Sequence, residues 1–177
     1  RGWQLLEDRK LPRIVYISKM DEDNIDFNAA FDALRERFGK SVAPLVVPIW
    51  DDNKKVTGII DVLNKRAYEM QKLQRVEIQL PEGKEGVIDE FNDALKESVA
   101  ETSEELMEKF FEGEDFTYAE MIQGLRSGIR DLSLFPVVCG SALSGLGTRM
   151  LLDLIVELLP SPLDGRPLMG ENAEGEL

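Results

Sequence analysis

The sequence predicts an α/β fold in which an open, largely parallel sheet is interrupted by an inserted α+β subdomain. Three observations predict it. Short apolar runs rich in β-branched residues alternate with amphipathic helical segments near both ends of the chain, as is typical of parallel sheets. Between residues 51 and 134 the pattern changes, and turn-separated strands precede long helices. Apolar residues make up 43% of the 177 residues and charged residues 31%, a balance that allows a buried core.

The first part of the chain predicts a helix end, a buried strand, an amphipathic helix and a second strand. Apolar residues between Phe27 and Phe38 recur at spacings of three and four, which indicates one buried helix face, and Gly39 is suited to end that helix. Pro48 lacks a backbone donor, so the second strand is expected at a sheet edge. The four elements are expected at residues 1–9, 13–17, 27–38 and 45–49.

The insertion is expected to begin with a small antiparallel sheet. Residues 56–63 and 76–80 have the composition of strands, whereas residues 64–74 fit either a strand or a helix. These segments differ from the buried runs of the parallel sheet, so they are assigned to a separate layer.

Helices are expected to follow this sheet. A helical region extends from residue 87 to 111, and Thr102 or Ser103 is suited to cap a second helix within it. The sequence Thr117-Tyr118-Ala119-Glu120 is a capping box, in which the threonine and the glutamate side chains accept backbone hydrogen bonds at a helix start.

The α/β pattern returns after residue 134. An apolar strand at 134–139 leads into a glycine-rich loop at 140–147, and a helix with a strongly apolar face follows at 150–158. The expected division is an α/β core at residues 1–50 and 135–162, an insertion at residues 51–134, and a linker or tail at residues 163–177.

Charge and composition exclude several classes of function. The formal net charge of −13 disfavours binding to free nucleic acid or anionic lipid and favours protein partners with basic surfaces. The sequence has no histidine, which removes Ser-His and Cys-His nucleophile pairs and histidine-based metal sites. The single cysteine, Cys139, lies in a predicted buried strand and is expected to be inert. We expect a cytoplasmic protein.

Two loops follow predicted buried strands and are candidates for ligand binding. The first is Ser18-Lys19-Met20-Asp21, and the second begins Gly140-Ser141-Ala142-Leu143. Ligands of open α/β sheets bind at the carboxyl ends of the strands, so both loops are suitably placed. Each motif alone also fits a solvated loop that caps the next helix.

The wider sequence resembles bacterial translation elongation factor G, in order and over nearly the whole chain. The resemblance implies a partial P-loop-GTPase-type sheet and explains the insertion, because that family has a subdomain, called G-prime, between its fourth and fifth nucleotide-binding motifs. The stretches that carry it are residues 12–21 with 26–27, 47–49 with 58–61, 135–142, and 151–153 with 159–162.

The resemblance implies that the two loops recognise guanine. In the family's Asn/Thr-Lys-x-Asp motif, the carboxylate of Asp21 would accept hydrogen bonds from the ring N–H and the exocyclic amine, which adenine does not offer. The stem of Lys19 would cover the base. In the Ser-Ala-x motif, the backbone N–H of Ala142 would donate to the guanine O6. The implied guanine-binding residues are Ser18, Lys19, Asp21, Ser141, Ala142 and Leu143.

Two positions depart from the family pattern. Ser18 stands where the family has an asparagine that contacts the base and ties the loops together, and Leu143 stands where the family has an aromatic residue. The side chain of serine is shorter than that of asparagine, so its hydroxyl supplies only part of the contacts that the asparagine makes. These changes indicate a divergent member with weakened or altered nucleotide affinity.

The motifs that bind phosphate do not occur in the sequence. There is no G-x-x-x-x-G-K-[ST] loop, no switch threonine, no D-x-x-G magnesium loop and no water-orienting histidine. We therefore expect a fragment of a GTP- and GDP-binding translational GTPase, with no catalytic or metal-binding residue of its own and with the Mg²⁺ site outside the chain. The parent would promote ribosomal translocation, and its inserted subdomain would contact the ribosomal stalk protein.

Two alternatives remain open at this point. One is an acidic protein-interaction module whose nucleotide site has decayed. The other is a ribosome-protection factor of the same superfamily, which would share most of these motifs. If the chain is not such a module, its cluster of acidic residues is interpreted as a solvated helix face. The cluster consists of Glu101, Glu104, Glu105, Glu108, Glu112, Glu114 and Asp115.

Overall fold

The computed structural model describes residues 2–23, 25–72 and 74–164 and contains two sheets and six α-helices within those ranges. The mixed α/β class predicted from the sequence is confirmed. The strands are β1 (Val15–Ile17), β2 (Val42–Pro44), β3 (Val46–Trp50), β4 (Val56–Asp61), β5 (Arg66–Gln71), β6 (Gln74–Ile78) and β7 (Phe135–Cys139). The helices are α1 (Gly2–Asp8), α2 (Phe27–Phe38), α3 (Glu85–Ala100), α4 (Glu104–Glu112), α5 (Tyr118–Arg130) and α6 (Thr148–Leu158).

The first sheet is parallel and has the order β1-β7-β2. Val15 is aligned with Val137 and Ile17 with Cys139, so the carboxyl ends of β1 and β7 lie side by side. All five residues of β7 are buried. This central position explains why its sequence is a continuous apolar run and not an alternating one.

The second sheet is antiparallel and has the order β3-β4-β5-β6. Residues 64–74, which fit a strand or a helix equally well by sequence, include strand β5, because the chain reverses at residues 62–65 and pairs Tyr68 with Ile59. Helix α3 packs against β2, and helices α4 and α5 pack on α3.

The predicted strand at residues 45–49 was wrongly assigned to the parallel sheet. Strand β3 pairs with β4 in the second sheet, and it is β2, three residues that the sequence analysis did not identify, that pairs with β7. Leu45 links the two sheets: its N–H donates to the carbonyl of Val137 at 2.9 Å, and its carbonyl accepts from the N–H of Val62 at 3.0 Å. The edge position expected for Pro48 is confirmed, but at the edge of the antiparallel sheet.

The helix boundaries follow the capping signals. Ser103 caps α4, accepting a hydrogen bond from the N–H of Leu106, so the predicted helical region at residues 87–111 consists of two helices. The capping box between Thr117 and Glu120 is present at the start of α5. Gly39, with φ of 64°, ends α2.

Within the described ranges, no helix is long and apolar enough to cross a membrane. The predicted linker or tail at residues 163–177 falls outside the described residues from residue 165 onward. Residues 162–164 form a short 3-10 turn.

Candidate functional site

The two candidate loops meet at the carboxyl edge of the parallel sheet. They follow the neighbouring strands β1 and β7, and backbone hydrogen bonds tie them together. The N–H of Gly140 donates to the carbonyl of Ile17, and the N–H of Met20 donates to the carbonyl of Gly140, both at 3.1 Å. The sequence placed the two motifs after strands, and the pairing of β1 with β7 places them next to each other.

The first loop is held by one buried side chain and one exposed ion pair. Met20 is only 1% exposed and anchors the loop in the core. Lys19 has a positive φ of 65°, and its Nζ lies 2.8 Å from Oε1 of Glu22. This hydrogen bond to Glu22 raises the pKa of Lys19. Asp21 is exposed, and no described residue donates a hydrogen bond to its carboxylate.

The second loop folds around the side chain of Ser141, which is completely buried. The N–H of Ser141 donates to the carbonyl of Leu146 at 2.8 Å, and its Oγ accepts from the N–H of Ser144 at 3.2 Å. The hydroxyl therefore closes a turn within the loop. Of the three predicted residues in this loop, Ala142 and Leu143 are exposed and Ser141 stabilises the turn from inside.

Two glycines allow the second loop to pack this closely. A β-carbon at Gly140 would lie 2.3 Å from the carbonyl oxygen of Leu146 and 2.7 Å from the hydroxyl of Tyr16. A β-carbon at Gly147, where φ is 74°, would lie 2.3 Å from the carbonyl oxygen of Cys139. Because the shortest distance at each position is to a backbone oxygen, neither position has room for a larger residue.

Tyr16 is a site neighbour that the sequence analysis missed. It lies on β1 beneath the second loop, and burial raises the pKa of its phenol, with a further contribution from Cys139. Burial also raises the pKa of the Cys139 thiol, so the side chain stays protonated, as its predicted inert character requires. A tyrosine in an apolar run gives no signal of this position, because only the strand pairing determines which loop it faces.

Both loops carry hydrogen-bonding groups that no described residue uses. The Asp21 carboxylate offers two acceptors, and no described residue accepts a hydrogen bond from the backbone N–H groups of Ala142 and Leu143. The first loop therefore offers acceptors to a ligand, and the second loop offers donors.

The two departures from the family pattern are both exposed. Ser18 makes no hydrogen bond with a described residue, and Leu143 is 86% exposed beside the site. The link between the loops that the resemblance assigns to an asparagine side chain is provided here by the backbone bond from Met20 to Gly140.

Comparison with known proteins identifies the family. Residues 1–161 match the family described as the elongation factor Tu GTP binding domain. The chain belongs to this family. It is also similar to a crystal structure of a protein from Thermus thermophilus, with 32% sequence identity and a TM-score of 0.83. The match covers 93% of this chain and 24% of that chain.

Membership of the elongation factor Tu GTP binding domain family means that the chain is a translational-GTPase-type domain, whose members bind guanine nucleotides. The α/β fold with a parallel sheet agrees with that family. The chain spans about a quarter of the length of the solved relative, so the activity and partners of the whole protein are treated below as proposals.

Proposed function

We propose that this chain is the guanine-recognising part of an elongation-factor-G-like translational GTPase. The parent protein would hydrolyse GTP and promote translocation on the ribosome in the cytoplasm. In this chain Asp21 reads the donor edge of guanine, Lys19 covers the base, and the exposed backbone of Ala142 and Leu143 lies against the guanine O6.

One observation supports this proposal above the others. The backbone bond from Met20 to Gly140 holds an exposed carboxylate loop beside a loop with unused N–H donors. Preorganised donors and acceptors of this kind discriminate between bases, because a base with the wrong pattern leaves them unpaired. Ser18 makes no hydrogen bond with a described residue. We therefore expect guanine binding to tolerate the serine that stands here in place of the family's asparagine.

The free edge of the parallel sheet supports the proposal that further strands complete the domain. Among the described strands, β1 pairs only with β7, and its three residues are half-buried. Leu152 and Val156 on α6 are 56% and 85% exposed. An unpaired strand edge and exposed apolar side chains are both surfaces that another segment of the domain would cover. The phosphate-binding and Mg²⁺-binding residues would belong to that segment.

The inserted subdomain is the proposed contact for the ribosome, and specifically for the stalk protein. Its helices α3 and α4 present acidic side chains that favour a basic partner surface. Part of this charge is already neutralised, since Asp115 lies 2.6 Å from Lys96. Phe111, which is 80% exposed at the end of α4, offers an apolar anchor within the acidic surface.

The test is nucleotide binding measured by calorimetry on two polypeptides. One is this chain, and the other extends it upstream to include a phosphate loop. We expect only the longer polypeptide to bind GDP and GTP, because phosphate and magnesium contacts normally supply much of the affinity. It should bind guanosine nucleotides and not adenosine nucleotides.

The outcomes distinguish the proposal from its alternative. Binding by the longer polypeptide with no preference for guanine would contradict the roles of Asp21 and Ala142. Absence of binding by either polypeptide would show that the site has decayed and would favour a protein-interaction module.

A further inference from the structure

A cavity lies at the amino ends of the parallel strands, around Arg13. This residue precedes β1, and Phe135 begins β7, so both lie at the amino ends of the strands and away from the guanine loops. Arg13 lines an open cavity of about 1210 Å³ between the end of α1, the end of α5 and the segment after α6.

Arg13 is a buried cation without a paired anion among the described residues. It is 7% exposed, and none of the ion pairs formed by described residues includes it. Its Nη1 donates one long hydrogen bond, 3.4 Å, to the carbonyl of Trp3. Its Nε is buried and has no described acceptor. Burying a charged group without hydrogen-bond partners costs free energy. A guanidinium cannot release its proton to avoid that cost, because arginine stays protonated in proteins.

Aromatic rings hold the guanidinium in a fixed position. Its central carbon lies 4.5 Å from the ring centroid of Trp3 and 4.9 Å from that of Phe135. Trp3 in turn stacks on Phe38 at 4.0 Å. Cation–π contacts offset part of the cost of burying the charge but leave the N–H donors unpaired. A planar, fixed guanidinium with free donors is the group that binds oxyanions bidentately.

The other charged groups of the cavity leave Arg13 available. Arg130 is paired with Asp131 at 3.0 Å, and the carboxylate of Asp164 accepts a hydrogen bond from the N–H of Ser161 at 2.9 Å. The remaining charged side chains are exposed on or just after α1, and they are Glu7, Asp8, Arg9 and Lys10. The eight charged side chains that line the cavity, Arg13 included, sum to zero charge. Arg13 therefore differs from the other cations of the cavity in being buried, and not in giving the cavity a net positive charge.

We propose that Arg13 is the centre of an oxyanion-binding site that accepts a carboxylate or a phosphate group. The oxyanion, supplied by a free ligand, would pair with the guanidinium N–H groups that line the cavity, while Trp3 and Phe135 keep the guanidinium plane in place.

The experiment uses the fluorescence of Trp3 in the 177-residue chain carrying Trp50→Phe, which leaves one tryptophan. Sodium phosphate is titrated against sodium chloride at equal ionic strength. The expected result is a saturable change in fluorescence with phosphate that chloride does not produce.

Substitutions test the role of Arg13 directly. Arg13→Lys keeps the charge and the aliphatic part of the side chain but loses the planar guanidinium with its paired N–H donors. The affinity for phosphate should therefore fall roughly tenfold, and it should fall further in Arg13→Met. Arg9→Met is the matched control, because Arg9 is an exposed cation of the same cavity. It should change the affinity by less than about threefold, as expected for a screened surface charge. Far-UV circular dichroism checks folding, and the lysine variant is decisive if the methionine variant unfolds.

The proposal is overturned by either of two results. One is the absence of a saturable response to phosphate. The other is an equal loss in Arg9→Met and Arg13→Lys, which would indicate general charge attraction and not a built site.

Discussion

At the scale of single residues, the candidate guanine site separates into side chains that would contact a ligand and side chains that shape the loops. Asp21, Ala142 and Leu143 are exposed, whereas Met20 and Ser141 are buried beneath them. Sequence motifs do not make this distinction, because a motif records which residues occur together and not which way they face. Burial decides it.

Asp21→Asn should weaken GDP binding by the upstream-extended polypeptide. The substitution replaces a carboxylate oxygen by an amide nitrogen that cannot accept a hydrogen bond, and losing a charge-assisted bond costs about 1.5–3 kcal/mol. Calorimetry checks this. Asp23→Asn is the control, since Asp23 is exposed in the same loop. Equal losses in the two variants would contradict the assignment of Asp21 to the base.

Gly140→Ala should destabilise the protein. Its β-carbon would lie 2.3 Å from the carbonyl oxygen of Leu146, so the second loop would have to move, at a cost of about 1–3 kcal/mol. Urea unfolding measures the change. Gly86→Ala is the matched control, because Gly86 lies in α3 with open space around its α-carbon and should be neutral or stabilising by about 0.5–1 kcal/mol. A neutral Gly140→Ala would show that the loop is not fixed in this geometry.

At the scale of elements, a capping signal located a helix start that hydrophobic periodicity did not. The apolar stripe at residues 87–111 continues across the break between α3 and α4, and only the candidate caps Thr102 and Ser103 indicated that a second helix begins there. The structure selects Ser103. The strand at residues 45–49 shows the converse limit. An apolar run of this kind fits a strand of either sheet, so composition does not assign it. The hydrogen bonds of Leu45 to both sheets determine where one sheet ends and the other begins.

The capping box of α5 should make stability depend on pH in acid. Hydrogen bonds from Lys109 and from Thr117 lower the pKa of Glu120 from 4.5 to about 2. Because the folded pKa is below the unfolded value, this contribution is complete above pH 4.5 and is lost as the pH falls to about 2. Urea unfolding from pH 2 to 6 measures it.

Glu120→Gln should reduce the dependence of unfolding free energy on pH within that window. Glu112→Gln is the control, because Glu112 is exposed at the end of α4 and has no described hydrogen-bond partner. If both variants keep the wild-type pH profile, the capping box does not contribute to acid sensitivity.

At the scale of the whole molecule, the parallel sheet is open on one side. Strand β1 has a free edge among the described strands, and α6 exposes Leu152, Ile155 and Val156. In a chain with a formal net charge of −13, charge repulsion opposes association. The exposed apolar side chains of α6 and the unpaired edge of β1 favour association.

We expect the chain to self-associate at high concentration through this surface. Val156→Lys should shift the equilibrium toward monomer without changing the unfolding free energy by more than about 0.5 kcal/mol, since Val156 is 85% exposed. Light scattering across a concentration series measures it. Val87→Lys, at an exposed apolar position on α3, is the control. A monomer at all concentrations, or an equal effect of both variants, would contradict this prediction.

The sequence by itself determined the fold class, most of the helices and the two loops of the candidate site. These follow from local physics: hydrophobic period distinguishes strands from helices, capping residues begin helices, and the lysine–aspartate and serine–alanine motifs each stand directly after a strand. The tertiary structure alone decided that β3 belongs to the second sheet, that Tyr16 and Met20 support the site, and that Arg13 is buried between two aromatic rings. Each of these depends on which distant segments pair, and pairing is a property of the assembled chain that no local pattern encodes.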